Sequence, residues 1–231
     1  MRRTRRLPPE ELAPYLLEVA TPPAPLDWPR VFGNDHPVEA EVGFGKGLFL
    51  LTAAQACPQV NFVGIEIARK YQLYAATRLA KRGLRNVRLA YADARVFLRD
   101  AVPAGSLQAL HAYFPDPWWK KRHHKRRLFT AEFAAQCERV LRPGGRLHLV
   151  TDVADYFAMV TALVAESTRL RPLPPPEEKA PVHDLDYLTN FERKFRKEGR
   201  PIYRVVYERP VVPSAEGVAS MRLPGPAPPA C

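Results

Sequence analysis

The chain has 231 residues, enough for one α/β domain with a sizeable core and too few for two full ones. Its hydrophobic fraction of 46% is that of an ordinary globular protein, and it contains no run of about 18 apolar residues that could span a membrane. The formal charge of +11 is clustered, which fits either a nucleic-acid surface or a solvated face, so position within the fold must decide.

Met1-Arg2-Arg3-Thr4-Arg5-Arg6 is basic, but charged and proline-rich sequence follows it instead of an apolar signal core, so a cytoplasmic protein is expected. Residues 1–30 read as a basic, proline-rich arm, more arm than core, with a short helix over Leu12 to Val19. Residues 31–209 read as the folded domain and 210–231 as a Pro/Ala-rich tail. Within the domain, Val38 to Val42 is strand-like and leads into a glycine turn. Leu48 to Ala56 reads as a helix closed by Cys57-Pro58. Phe62 to Ile67 is apolar apart from Gly64 and Glu66, as a buried parallel strand should be. A helix over Arg69 to Arg82 stops at Gly83, and strands follow at Val87 to Ala90 and Leu107 to Phe114. Thr130 caps an amphipathic helix over Phe129 to Leu141, which Arg142-Pro143-Gly144-Gly145 ends. Strand Leu147 to Val150, helix Val153 to Ser167, partial helix Leu185 to Lys197 and strand Ile202 to Tyr207 complete the series. Strands alternating with helices predict an α/β fold: a Rossmann-like, mostly parallel sheet with helices on both faces, binding ligands beyond the carboxyl ends of its strands. Cys57, Cys137 and Cys231 form no CxxC pair, which argues against zinc and against a disulfide framework; the first two read as packing residues, and no metal is expected.

Glu41-Val42-Gly43-Phe44-Gly45-Lys46-Gly47 leaves the first strand. A dinucleotide loop would want G-x-G-x-x-G, but its third glycine position holds Leu48, and Glu41 would repel a pyrophosphate. The same carboxylate suits a ligand carrying an ammonium and a sulfonium. Glu66 ends the second strand, where a carboxylate can accept from ribose hydroxyls, and Asp93 ends the third, where it could accept from an adenine amino group. Each acid alone could be a helix cap. Three at successive strand ends beside a glycine loop favour a nucleoside pocket. In Phe114-Pro115-Asp116-Pro117-Trp118-Trp119, two prolines hold Asp116 extended, and the tryptophans could wall a pocket or stack on a base. Lys120 to Arg127 follows at once and places six Lys/Arg in eight residues next to the cofactor end of the sheet, which favours a bound polynucleotide over idle charge.

Taken together, E-V-G-F-G-K-G, G-I-E-I, A-D-A, F-P-D-P-W-W-K-K-R-H-H-K-R-R, V-T-D and T-N-F-E-R resemble the tRNA (guanine-N7-)-methyltransferases of the bacterial TrmB family, over about residues 38–209. The resemblance implies a class I methyltransferase fold with S-adenosylmethionine as methyl donor and tRNA as partner, acting on the variable-loop guanosine at tRNA position 46; the sequence leaves monomer and homodimer both open, and no membrane partner is expected. By the same resemblance Glu41, Gly43, Gly45, Gly47, Glu66 and Asp93 contact the cofactor, and Asp116 both contacts it and is catalytic. Lys120, Asp152, Thr189, Asn190, Phe191 and Glu192 contact substrate, and Arg122, His123, His124, Lys125, Arg126 and Arg127 contact RNA. Trp119 stands where His or Pro is common in the family, and Lys194-Phe195 where a glycine often follows.

Guanine N7 has an in-plane lone pair, so transfer needs no prior deprotonation, and a carboxylate accepting from N1–H and the 2-amino group, Asp116 or Glu192, would select guanine. Three alternatives remain: an N6-adenine type methyltransferase, since Pro115-Asp116-Pro117-Trp118 superficially resembles D/N-P-P-Y/F/W although the acid here lies between two prolines; a nicotinamide-dependent oxidoreductase, against which Leu48 and Glu41 argue; and a non-catalytic RNA-binding protein on the same scaffold, against which Glu41, Glu66, Asp93 and Asp116 argue.

Overall fold

A computed structural model describes residues 7–18, 24–118, 122, 126–174 and 189–211. The described strands form one eight-stranded sheet in the order β1-β4-β3-β2-β5-β6-β8-β7. These are β1 (Leu16–Leu17), β2 (Val38–Val42), β3 (Asn61–Glu66), β4 (Val87–Tyr91), β5 (Leu107–Tyr113), β6 (Leu141–Thr151), β7 (Arg171–Pro172) and β8 (Tyr203–Glu208). All pairs from β1 to β6 are parallel, while β8 lies antiparallel to β6 and β7. The strand order reverses between β2 and β5, which opens a crevice at the carboxyl rim there.

Helices α5 (Ala94–Asp100), α6 (Ala131–Val140) and α7 (Ala154–Ser167) bury Phe97, Phe133 and Val160 against one face of the sheet. Helices α1 (Pro9–Leu12), α3 (Leu48–Ala56) and α4 (Arg69–Ala80) bury Leu12, Leu51 and Leu79 against the other. The remaining helices are α2 (Trp28–Phe32) and α8 (Asn190–Lys197). Leu48 to Leu51 are all buried, because α3 is enclosed between the sheet and its neighbours. The glycine inside β3 has the same origin: a Cβ on Gly64 would stand 2.5 Å from Leu50 Cδ1 and 2.6 Å from Phe44 Cδ1. Thr130 caps α6 as expected, accepting from Phe133 N at 3.2 Å.

Several elements differ from the sequence reading. The helix expected over Leu12 to Val19 is instead α1, a 3₁₀ turn over Ala13–Tyr15 and strand β1. Pro14 has no N–H to continue a helical ladder, and the chain extends beyond it. Leu12 and Tyr15, read as part of an arm, are 3% and 2% exposed and belong to the core. Helix α5, absent from the sequence reading, begins immediately after Asp93. The Arg142–Gly145 turn is absorbed into β6: Gly144 N donates to Arg209 O and Arg209 N to Gly145 O, both at 2.8 Å. Cys137 is buried and free as expected, whereas the buried Cys57 is disulfide-bonded rather than a plain packing residue. Among the described residues no helix is long and apolar enough to cross a membrane.

Candidate active site

The carboxyl ends of β2, β3 and β4 bring the predicted acids to one rim. Gly43 and Gly45 follow β2 with φ of 72° and 52°, values that side-chain-bearing residues rarely adopt. Gly43 N donates to Ile65 O at 2.7 Å, which ties the loop to β3. An added Cβ at either glycine would meet nothing within 4 Å, so the backbone there faces open space that a ligand can approach. Gly47 caps α3 in the left-handed conformation and packs on α4, where a Cβ would lie 2.9 Å from Ala75 Cβ.

Glu66 shapes this loop. Its Oε2 accepts from Gly45 N and its Oε1 from Ala68 N, both at 2.9 Å, so the fold itself uses the carboxylate expected for the ligand. Each oxygen still has a second acceptor position. Glu41 is different: it is 2% exposed, and its Oε2 is buried with no hydrogen-bond partner. Burial, and then the charge of Glu66, push its pKa well above the ordinary carboxylate range. Asp93 caps α5 by accepting from Arg95 N at 2.9 Å, and its Oδ2 pairs with Arg95 Nη2 at 2.6 Å. Hydrogen bonds from Arg95 hold its pKa below the usual value against partial burial. Ala92 N donates to Glu66 O at 3.2 Å, which seats the Asp93 turn beside Glu66. Ile67, 66% exposed, and Tyr91, 51% exposed, put apolar surface among these acids, a feature the sequence reading missed because alternation cannot tell a rim residue from a core one.

Beyond β5 the chain turns through Phe114 and Trp118, both at positive φ (51° and 46°), and presents Asp116 exposed between them. Non-glycine residues in this region cost on the order of 1–3 kcal/mol each, so the turn is held from outside. Phe114 N donates to Val150 O at 2.7 Å, Arg127 Nε donates to Pro117 O at 2.9 Å, and Arg126 lies 5.2 Å from the Trp118 ring centre. Arg127 therefore has a structural task in addition to its charge. Arg122 and Arg126 are exposed; Trp119, Lys120, His123, His124 and Lys125 lie outside the described residues.

Helix α8 covers this side. Thr189 caps it, accepting from Glu192 N at 3.0 Å. Glu192 is 4% exposed and pairs with Arg196 Nε at 3.0 Å and with Arg204. Asn190 accepts weakly from Arg193, and Phe191, 54% exposed, stacks on Phe195 with ring centres 5.9 Å apart. Asp152 pairs with Arg200, whose guanidinium lies 4.2 Å from the Phe195 ring centre. Of the substrate candidates, Thr189, Glu192 and Asp152 thus serve the protein's own contacts, while Phe191 faces outward. Tyr113 lies between the two groups: burial, then the charges of Glu41, Glu39 and Glu192, raise its pKa well above that of a free phenol.

A chain of hydrogen-bonded side chains beneath the rim has no signature in the sequence. His111 Nε2 stands 2.8 Å from Glu39 Oε2, and His111 Nδ1 stands 2.8 Å from Tyr113 Oη. No local motif signals it, since its members meet only when β2 and β5 pair.

Residues 35–205 match a family model described as "Putative methyltransferase". A tRNA (guanine-N(7)-)-methyltransferase of Rhodopirellula baltica is 47% identical over 193 residues, 81% of this chain and 71% of that protein. One from Geobacter metallireducens is 35% identical over 209 residues, 90% of this chain and 96% of its own. Among solved structures, an antibiotic related methyltransferase matches with a TM-score of 0.57 at 13% identity, covering 78% of this chain and 92% of its own. An S-adenosylmethionine-dependent methyltransferase from Aquifex aeolicus matches at 0.52 and 13% identity, covering 78% and 86%. At such identities the structural likeness speaks for the fold alone.

Proposed function

The chain belongs to the tRNA (guanine-N(7)-)-methyltransferase family, and from that premise we infer that it moves a methyl group from S-adenosylmethionine to N7 of a guanine in tRNA. The observation that carries the reading is Glu41, a buried carboxylate with an unpartnered oxygen beside two glycines that leave open space. A buried anion without a partner is costly unless a cation comes to it. S-adenosylmethionine, with its ammonium and sulfonium, suits that donor set, and its methyl group is activated by the positive sulfur. Glu41 supplies the counter-charge, Gly43 and Gly45 allow close approach, and Glu66 accepts from ribose hydroxyls with its remaining lone pairs. Asp93 Oδ2, which accepts one hydrogen bond from Arg95, has room for the adenine amino group. The exposed Ile67 offers the purine an apolar face.

On the substrate side the target is the variable-loop guanosine, a position supported by the sequence resemblance. Guanine N7 attacks through its in-plane lone pair, so the protein's work is to orient the base and exclude water; well-oriented reactants can gain roughly 7–11 kcal/mol. Asp116, exposed and held between two positive-φ residues, accepts from guanine N1–H and the 2-amino group. That contact rejects adenine and stabilises the positive charge that develops on the purine. Glu192, buried against two arginines, instead fixes α8. Arg122 and Arg126 meet phosphates, and the tRNA substrate implies a cytoplasmic location.

The test is incubation with labelled S-adenosylmethionine and unmodified tRNA, followed by digestion to nucleosides. Label is expected in 7-methylguanosine, and Asp116→Ala should lower turnover by roughly 10²–10³ with both substrates saturating. Label on adenine, or on no nucleoside, would overturn the reading; near-normal turnover of the variant would remove Asp116 from it.

A further inference from the structure

Between Ile67 and Ala92 the chain carries seven Lys/Arg and no Asp or Glu. In sequence these charges are spread among apolar residues; wound into α4 and the turn after it, they gather. Lys70, Tyr74 and Arg78 recur every four residues and share one side of α4, and Arg82, in the turn that follows, donates from Nη1 to Arg78 O at 3.4 Å. Successive helical positions among them lie about 6 Å apart along the axis, given a rise of 1.5 Å per residue. Tyrosines are interleaved with the cations: Lys70 Nζ is 5.0 Å from the Tyr71 ring centre, Arg78 is 5.9 Å from Tyr74, and Arg69 is 5.6 Å from the exposed Tyr91.

Stability alone does not account for this face. Arg69 and Lys70 occupy the first turn of α4, where the positive end of the helix dipole disfavours cations, and the turn contains no acid. Lys70, Arg78 and Arg82 form no ion pair with a carboxylate among the described residues. Burial, and then the like charges of Arg82 and Arg193 against the partial relief from Tyr74, hold the Arg78 pKa below its ordinary value. Arg78 Nη1 also donates to Lys46 O at 2.7 Å, which ties this side of α4 to the glycine loop. Lys70, Arg78 and Arg82, gathered with no carboxylate partner among the described residues, are stabilised when a polyanion approaches, and flanking aromatic rings add stacking surfaces for bases.

We propose that the stripe formed by Lys70, Tyr74 and Arg78 of α4 and by Arg82 in the turn after it is a second RNA-binding surface that engages the tRNA sugar–phosphate backbone away from the methylated guanosine. The proposal rests on the tRNA reading above for the identity of the polyanion. Its test is the double variant Lys70→Gln/Arg82→Gln, in which both exposed side chains lose their charge and Arg78 keeps its contact with the glycine loop. Binding of full tRNA is measured over a range of salt concentrations, with steady-state methylation, the S-adenosylmethionine Kd and the melting temperature measured alongside. The slope of log K against log salt should become shallower by about 0.7–0.9 for each side chain that faces a phosphate. KM for tRNA should rise, with kcat, donor Kd and melting temperature unchanged, and a short hairpin carrying the target guanosine should lose less affinity than full tRNA. A salt slope and tRNA KM equal to those of the wild type would overturn the proposal, as would an equal loss for hairpin and full tRNA. A wild-type protein that binds tRNA steeply but methylates no guanine would overturn the enzymatic reading and leave the surface standing.

Discussion

Glu39 and Glu41 project from one face of β2, a single pleat apart, into two differently furnished regions. Beneath the rim, Glu39 accepts from His111 Nε2 at 2.8 Å and from Gln108 Nε2 at 3.0 Å. Burial would push its pKa up, but the hydrogen bond and charge of His111, with Gln108, outweigh burial and hold it below the ordinary carboxylate value. At the rim Glu41 has an oxygen with no partner, and its pKa goes the other way. The same strand therefore furnishes one carboxylate completely and leaves the next one bare. The lower region ties β2 to β5; the upper region is the one that we propose receives a cation from outside the chain.

Removing the charge at the rim should produce the largest effect. Hydrogen bonds to charged groups are worth about 1.5–3 kcal/mol, so Glu41→Gln should raise the S-adenosylmethionine Kd roughly 10- to 100-fold by calorimetry. Without the donor the same variant should melt higher than the wild type at about pH 8. A raised pKa means that the folded chain keeps its proton where the unfolded chain has lost it. Wild-type stability from this group is thus full in acid and declines as pH rises above the ordinary carboxylate value. The gain in melting temperature should accordingly vanish near pH 4. Normal donor binding, or a lower melting point at pH 8, would erase the contrast between the two glutamates.

Glu39→Gln should give the opposite pattern at smaller amplitude. It weakens the bond to His111 and should cost about 1–3 kcal/mol in denaturant unfolding. Donor Kd should stay close to wild type, because Glu39 belongs to the layer beneath the rim. A shift in donor affinity comparable with that of Glu41→Gln would mean that the two regions act as one.

The rim was legible in the sequence because it is built from local signals. Glycines after a strand, acids at strand ends, and the cap Thr130 each announce themselves within a few residues. The α3 helix emerged with its expected bounds, set by Gly47 and Cys57-Pro58. What the sequence withheld are partners brought from elsewhere in the chain: Arg200 for Asp152, Arg204 for Glu192, and His111 for Glu39. Without them Glu192 and Asp116 looked equivalent; with them one is buried and paired and the other exposed. The seven residues of α5 are too few for a periodic signal, and only Phe97 and Leu98 of them are buried. The stripe on α4 escaped for the reason opposite to that which made Lys120 to Arg127 conspicuous, since its charges become neighbours only on the wound helix.

His148 offers the finest test of the layer under the rim. Its ring stacks on His111 with centres 4.7 Å apart and planes 28° apart. Burial, and then the neighbouring His111, hold its pKa down at about 3 against the attraction of Glu39. The folded protein therefore keeps His148 neutral while the unfolded chain takes up a proton below about pH 6.5. The stability involved is complete above that value and is lost as pH falls towards 3. His148→Phe keeps a ring in the stack and removes the titration. Its melting temperature should match the wild type near pH 7 and decline less steeply between about pH 6 and pH 4. Donor affinity should be unchanged at every pH if, as we propose, Glu41 and not the imidazole pair below it meets the cation. A melting profile parallel to the wild type would show that His148 is not what resists protonation, and the acid limb would then belong to Glu39, whose lowered pKa gives stability of the same sign over a more acidic range.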